Sequence, residues 1–268
     1  MKNKTPIFIL LFSLLFTCNV NENRIDIIEQ IEEESPPTDT EEENDDNNGD
    51  GNEGDDSDDG DDQEQTQITY KILALGDSYT IGASVCDTCR FPEQLKDSLV
   101  TKFESDTSFE LKVIARTGWT TTSLINAIDN ENIVNDYNLV SLLIGVNNQY
   151  QGKPFSLYET EFPELVNTAI SIAANRKSKV LVISIPDYAY TPFGRGNPII
   201  SAEIDTYNTF AKNYCTENNI SYINITDITR MGLENTALVA SDGLHPSKLA
   251  YSKFVERILP VALDKLKD

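Results

Sequence analysis

From Tyr70 onward, short apolar runs alternate with longer amphipathic stretches, a pattern that predicts βαβ units around a parallel sheet. Five runs read as strands: Tyr70–Leu75, Phe109–Ala115, Asn138–Ile144, Lys179–Ile185 and Ile220–Ile225. They are rich in Val, Ile and Leu, and too continuously apolar for a half-exposed antiparallel sheet, which would alternate. Between them, helices are expected near Pro92–Phe103, Thr121–Ile128, Leu157–Asn175 and Ala202–Glu217, with a last one from Lys248 to about Lys267. Right-handed crossovers put these helices on both faces, so the expected class is α/β, a three-layer α/β/α sandwich with a five-stranded parallel sheet. The residues from Gln67 to Asp268 suffice for one such core and are too few for two comfortable domains. No internal repeat is present.

Before that region the pattern changes twice. Lys2 and Lys4 precede an apolar run from Ile7 to Phe16 that leads to Cys18, which reads as a secretory signal. The run is about half of the ~20 residues that a membrane-spanning helix needs. Leu15-Phe16-Thr17-Cys18 resembles a bacterial lipobox, which implies lipidation of Cys18 and a mature N-terminus there. Thr17 stands where Gly or Ala is usual, so ordinary cleavage and secretion is the alternative. The protein is expected in the bacterial cell envelope, held to a membrane through an N-terminal lipid.

Glu22–Glu64 carries 21 acidic residues against the single base Arg24, whereas Gln67–Asp268 has 23 acids and 18 bases. Most of the formal charge of −23 thus belongs to residues 19–66, which lack large apolar side chains after Ile31 and are expected to be a disordered tether. Asp46, Asn48, Asp50 and Gly51 match the start of a calcium-binding loop, but Ser57 occupies the twelfth position where a bidentate Glu is required, so diffuse counter-ion association is the expectation. No Lys/Arg cluster suited to phosphates appears, which argues against nucleic acid as a partner.

Cys86 and Cys89 enclose only Asp87 and Thr88. In an exported protein this favours a local disulfide over free thiols, and over a redox or zinc site that lacks further ligands. No cofactor and no metal is expected. The oligomeric state is left open.

The chemistry is suggested by where particular residues fall. Gly76-Asp77-Ser78 follows the first predicted strand, Gly118 the second and Asn147 the third, while Asp242 and His245 follow the fifth. Every one of these lies C-terminal to a strand, the edge where open parallel sheets bind ligands. A serine nucleophile needs a base, and His245 is the only histidine in the chain. Asp242, three residues before it, is placed to orient the imidazole. Each residue alone also has an ordinary reading. Ser78 would cap a helix, Gly118, Asn147 and Asp242-Gly243 would serve turns, and His245 would be a surface loop residue. It is their joint register with the strand ends that favours chemistry. Asp77 is read as structural.

The segments Gly76–Thr80, Gly118, Asn147 and Asp242–His245 resemble the four blocks of the SGNH (GDSL-type) hydrolase family, in the expected order and across the whole folded region. The third block usually ends in Asp, where this chain has Asn148. The resemblance implies a flavodoxin-like fold and ester hydrolysis through an acyl-serine intermediate. Ser78 would be the nucleophile, His245 the base and Asp242 its orienting acid, with an oxyanion hole formed by the backbone N–H groups of Ser78 and Gly118 and the side-chain amide of Asn147. The G-x-S-x-G elbow is absent, since Thr80 stands in place of its second glycine.

Substrate is less legible. Tyr79, Trp119, Tyr150, Tyr188, Tyr190 and Phe193 fall in loops at this edge, where each either lines a pocket, suiting an acyl chain or a sugar ring, or packs the rim of the core. Short-chain acyl or lysophospholipid-like esters are expected, with acetylated glycans as the alternative. A non-catalytic binding module on the same scaffold is the reading from another class, and a redox protein built on Cys86 and Cys89 is a more remote one.

Overall fold

The structure is a computed structural model that describes residues 67–267. The expected signal at 1–18, Cys18, the acidic stretch 19–66 and its calcium-like pattern lie outside the described residues.

Five parallel strands form one sheet: β1 (Ile68–Gly76), β2 (Thr107–Ala115), β3 (Leu139–Leu143), β4 (Val180–Ile183) and β5 (Ser221–Ile223). Their spatial order is β2-β1-β3-β4-β5, the doubly wound flavodoxin-like order. Among the described residues eight α-helices flank it: α1 (Ser78–Ile81), α2 (Phe91–Val100), α3 (Thr121–Asp129), α4 (Val146–Tyr150), α5 (Phe155–Ile172), α6 (Pro198–Glu217), α7 (Thr226–Thr229) and α8 (Lys248–Lys267). Helices α2 and α8 pack together on one face, and α3, α5 and α6 form a series on the other. Both faces of β3 and β4 are therefore covered. Every residue of those strands is buried, which is why they read as unbroken apolar runs.

The register explains where the loops gather. Gly76 at the end of β1 pairs with Ala115 of β2 on one side and Leu143 of β3 on the other, so three strands finish level with one another. Chain order reverses direction across β1, giving a crevice at that edge. Gly76 also needs its missing side chain. A Cβ there would stand 2.1 Å from Thr80 Oγ1 and 2.5 Å from Leu143 O, so the tight return into α1 admits only glycine.

All five predicted strands are present, with ends differing by up to two residues. The short helices α1, α4 and α7 have four or five residues each, too few for a 3.6-residue period to register. Helix α6 begins at Pro198, four residues before the expected start at Ala202. Asn197 caps it, its side chain accepting from Ile199 N at 3.0 Å, and the proline at the first helical position acts as a starter rather than a breaker.

Candidate active site

Ser78 is the first residue of α1 and is 3% exposed. It does not cap that helix. Asp77 does, its Oδ1 accepting from Tyr79 N at 3.0 Å, so the side chain of Ser78 is not engaged by the helix end. The structural reading of Asp77 therefore holds. Asp77 itself is fully buried and its Oδ2 makes no hydrogen bond of full geometry; the Asn147 amide lies beside it and donates one proton to Trp119 O at 3.1 Å.

Burial pushes the Asp77 carboxyl up to about 7, because the amides of Tyr79 and Asp77 and the Asn147 side chain only partly offset the loss of water. The folded value lies above the ordinary 3.8, so Asp77's contribution to stability is fully present below that value and is lost as pH rises through about 7. The rise from 3.8 to about 7 corresponds to a loss on the order of 4 kcal/mol across this window. Asp77→Asn is expected to remove that decline while keeping the cap oxygen. Urea unfolding of both proteins from pH 4 to 8 checks this, and parallel stability curves would reject it.

Asp242 and His245 meet in one loop. His245 Nδ1 lies 2.6 Å from Asp242 Oδ2, and Oδ1 accepts from the backbone N–H of Leu244 at 2.9 Å and of His245 at 3.0 Å. With its proton on Nδ1, the ring leaves Nε2 free as an acceptor. The backbone of the loop is pinned as well, since Ala240 N donates to His245 O at 2.7 Å. Partial burial disfavours the Asp242 carboxylate. The hydrogen bonds from His245, Ser84 and the two amides outweigh this and hold it well below the usual carboxylate range, so it is ionised at neutral pH. His245, 9% exposed as a residue, packs its ring against Tyr79 with centroids 5.2 Å apart.

The second and third loops lock together. Gly118 sits at φ +83°, and a Cβ there would meet nothing within 4 Å, so the glycine serves backbone conformation rather than clearance. Its carbonyl accepts from Gln151 Nε2 at 2.8 Å, and the next carbonyl, of Trp119, accepts from Asn147. An amide nitrogen carries two protons, so Asn147 retains a second donor after binding Trp119. Asn148, the departure from the expected block, is wholly buried and bridges the same two loops. Its Oδ1 accepts from Thr121 N at 3.0 Å and its Nδ2 donates to Thr121 Oγ1 at 2.6 Å, while Thr121 Oγ1 donates to Glu161. The amide supplies a donor that an ionised carboxylate lacks.

Ser78, Gly118, Asn147 and His245 all line one cavity of about 200 Å³, joined by Tyr79, Thr117, Val146, Tyr150, Tyr188, Phe193 and Leu244. Four of the six expected aromatics are thus on its wall. Trp119 and Tyr190 are not: Trp119 turns away and packs partly buried against the core. The loop after β4, which carries Tyr188, is held by Asp187. That buried carboxylate accepts from Arg230 Nε at 2.9 Å and Ser201 Oγ at 2.6 Å. Neither Asp187 nor Ser84 was singled out from sequence. Asp187 had a detectable signal in its place just after a strand end; Ser84 had none.

Cys86 and Cys89 form a disulfide in the segment that follows α1. Cys215 is a buried free thiol whose pKa burial pushes up to about 12. No helix among the described residues is long and apolar enough to cross a membrane.

Residues 74–253 match the GDSL-like lipase/acylhydrolase family. The chain belongs to that family. A sequence comparison with curated proteins gives no match. Among solved structures, this GDSL-like chain is similar to the lipase/acylhydrolase from Enterococcus faecalis, at 22% identity over 74% of this chain and 96% of that one, with a TM-score of 0.55. It is also similar to a psychrotrophic esterase from Pseudoalteromonas sp. inhibited by monoethylphosphonate, at 20% identity over 74% and 99% of the two chains and TM-score 0.55. A variant of an acetyl xylan esterase from Geobacillus stearothermophilus matches at 17% identity over 73% and 96%, with TM-score 0.53. At these identities the likeness establishes a common fold.

Proposed function

We propose that this GDSL-like protein is a serine carboxylic ester hydrolase that works through an acyl-serine intermediate on short-chain acyl or lysophospholipid-like esters. The observation that carries this reading is the convergence of Ser78, Gly118, Asn147 and His245 on one cavity, with Asp242 2.6 Å behind the imidazole. Ser78 Oγ attacks the ester carbonyl as His245 Nε2 takes its proton, and the imidazolium then protonates the departing alcohol. Water, deprotonated by the same nitrogen, releases the acid. Asp242 fixes the tautomer and stabilises the transient imidazolium. The oxyanion is met by the N–H groups of Ser78 and Gly118 and by the second amide proton of Asn147, each such donor being worth about 10²–10³ in turnover.

The cavity volume of about 200 Å³ supports the short-chain acyl esters over the long-chain, lysophospholipid-like ones, since pockets for drug-sized ligands run from roughly 300 Å³ upward. Acetylated glycans are the second reading. Tyr150 and Phe193, 57% and 49% exposed at the mouth, supply flat surfaces for a sugar, and one protein of this fold is an acetyl xylan esterase. The proposed setting is the cell envelope, with Cys18 lipidated and the acidic stretch acting as a tether.

A p-nitrophenyl ester series from acetyl to dodecanoyl tests the reading. Turnover is expected to be greatest for acyl groups of up to about six carbons and about tenfold lower at dodecanoyl. Stoichiometric labelling of Ser78 by a fluorophosphonate should abolish it. A folded protein that hydrolyses none of these esters and resists the phosphonate would favour a binding module instead.

A further inference from the structure

Ser84 is a residue in the wrong conformation for its type. It stands at φ +67°, in the left-handed region that side-chain-bearing residues seldom occupy, just past the C-terminal end of α1. Non-glycine residues are held there when something else over-determines them, and such outliers gather at functional sites. Here the other constraint is visible. Ser84 Oγ donates to Asp242 Oδ2 at 2.7 Å, the oxygen that also faces His245 Nδ1.

The four hydrogen bonds that Asp242 accepts are not equivalent. Those from Leu244 N and His245 N are made within its own turn, and that from Nδ1 is made by the ring it orients. Only the Ser84 hydroxyl reaches it from elsewhere, across 158 residues of sequence. The segment it comes from also bears Ser78. Gly82 N and Ala83 N both donate to Ser78 O, at 3.1 and 3.0 Å, so the nucleophile and Ser84 are the two ends of one short hydrogen-bonded unit. The Cys86–Cys89 disulfide begins two residues further on and constrains the chain immediately after it.

We propose that Ser84 is a positioning residue for the hydrolytic reaction: it ties the carboxylate of Asp242 to the segment that carries Ser78, so that acid, base and nucleophile keep one register. The proposal rests on the assignment of Ser78, His245 and Asp242 above. It acts through Asp242 and touches no substrate. Without the hydroxyl, Asp242 keeps its two local amide donors but gains freedom to turn Oδ2 away from the ring, which lowers the fraction of His245 in the productive orientation. The term lost is one of turnover, not of ester binding, because Ser84 is not on the cavity wall.

The test compares Ser84→Gly and Ser84→Ala in the full chain on a short-chain p-nitrophenyl ester. Glycine relieves the positive φ while alanine keeps the strain, and both lack the hydroxyl. Each is expected to lower kcat by about tenfold with KM within about twofold, the loss for one hydrogen bond to a charged group discounted for its exposure to water. In an Asp242→Asn background the Ser84→Gly change should have no further effect, since the carboxylate it holds is gone. A purely structural role predicts the reverse ranking: alanine harmed, glycine equal to or more stable than wild type and fully active. Full activity of Ser84→Gly, or an equal loss in the Asp242→Asn background, overturns the proposal while leaving the hydrolase reading intact. If Asp242→Asn alone costs nothing, the triad assignment itself falls, and the role of Ser84 with it.

Discussion

Ser78→Ala and His245→Ala should each lower kcat on a short-chain ester by about 10⁵–10⁶-fold, and the double variant should be no worse than either single one. The reason is that nucleophile and base act as a unit. An alanine at 78 leaves the imidazole with nothing to deprotonate, and an alanine at 245 removes the one imidazole on the cavity wall that could take the hydroxyl proton. Neither change threatens the fold. The Ser78 hydroxyl caps nothing, because Asp77 performs that task. The backbone around His245 is fixed by the Ala240 N to His245 O hydrogen bond and by the bridge between Val239 and Pro246, both independent of the ring. Single-turnover kinetics on purified variants, with circular dichroism to confirm folding, measures the effect. Residual turnover within a hundredfold of wild type in either variant would mean that another group is the nucleophile or the base.

Asp242→Asn should cost about 10³–10⁴ in kcat with the fold retained. Asparagine is the informative substitution here because it separates two jobs. Its Oδ1 can still accept from Leu244 N and His245 N, so the turn is retained. Its Nδ2 replaces the oxygen that lies 2.6 Å from His245 Nδ1, and a donor facing that nitrogen demands the tautomer with its proton on Nε2, which cannot accept from Ser78. The loss is therefore one of tautomer and of imidazolium stabilisation, not of architecture. Because hydrogen bonds hold the Asp242 carboxyl well below its ordinary range, wild-type activity should not fall from protonation of this group until pH drops below the normal carboxylate range. A pH–rate profile for kcat/KM in both proteins checks the pair. A variant with wild-type turnover would show that the imidazole needs no carboxylate.

These expectations concern residues that are far apart in sequence, and the chain's own pattern made most of them visible. Ser78, Gly118 and Asn147 stand at the ends of β1, β2 and β3, and in a parallel sheet strand ends point to one edge, so reading the strands was enough to bring the residues together. Asp242 and His245 are legible because they are three residues apart and share a turn. Ser84 is not, because its partner lies 158 residues away and nothing in its neighbours marks a positive φ. Whether Trp119 lines the pocket or packs the core is not legible for a related reason: a loop position predicts proximity to the edge but not side-chain direction. Asn147 takes the carbonyl of Trp119, and the indole packs toward the core.

The sequence by itself determined the alternation of strands and helices, the burial of both sheet faces and the set of residues at the sheet's C-terminal edge, because all three follow from local hydrophobic period and chain order. Tertiary structure alone decided how those residues are held: Asn148 bridging to Thr121, Asn147 bound to the Trp119 carbonyl, Asp187 clamped by Arg230, and Ser84 fastened to Asp242. Such contacts require loop separations correct to within a few tenths of an ångström, which are fixed only when the sheet and its helices have packed, and no periodicity along one chain records them.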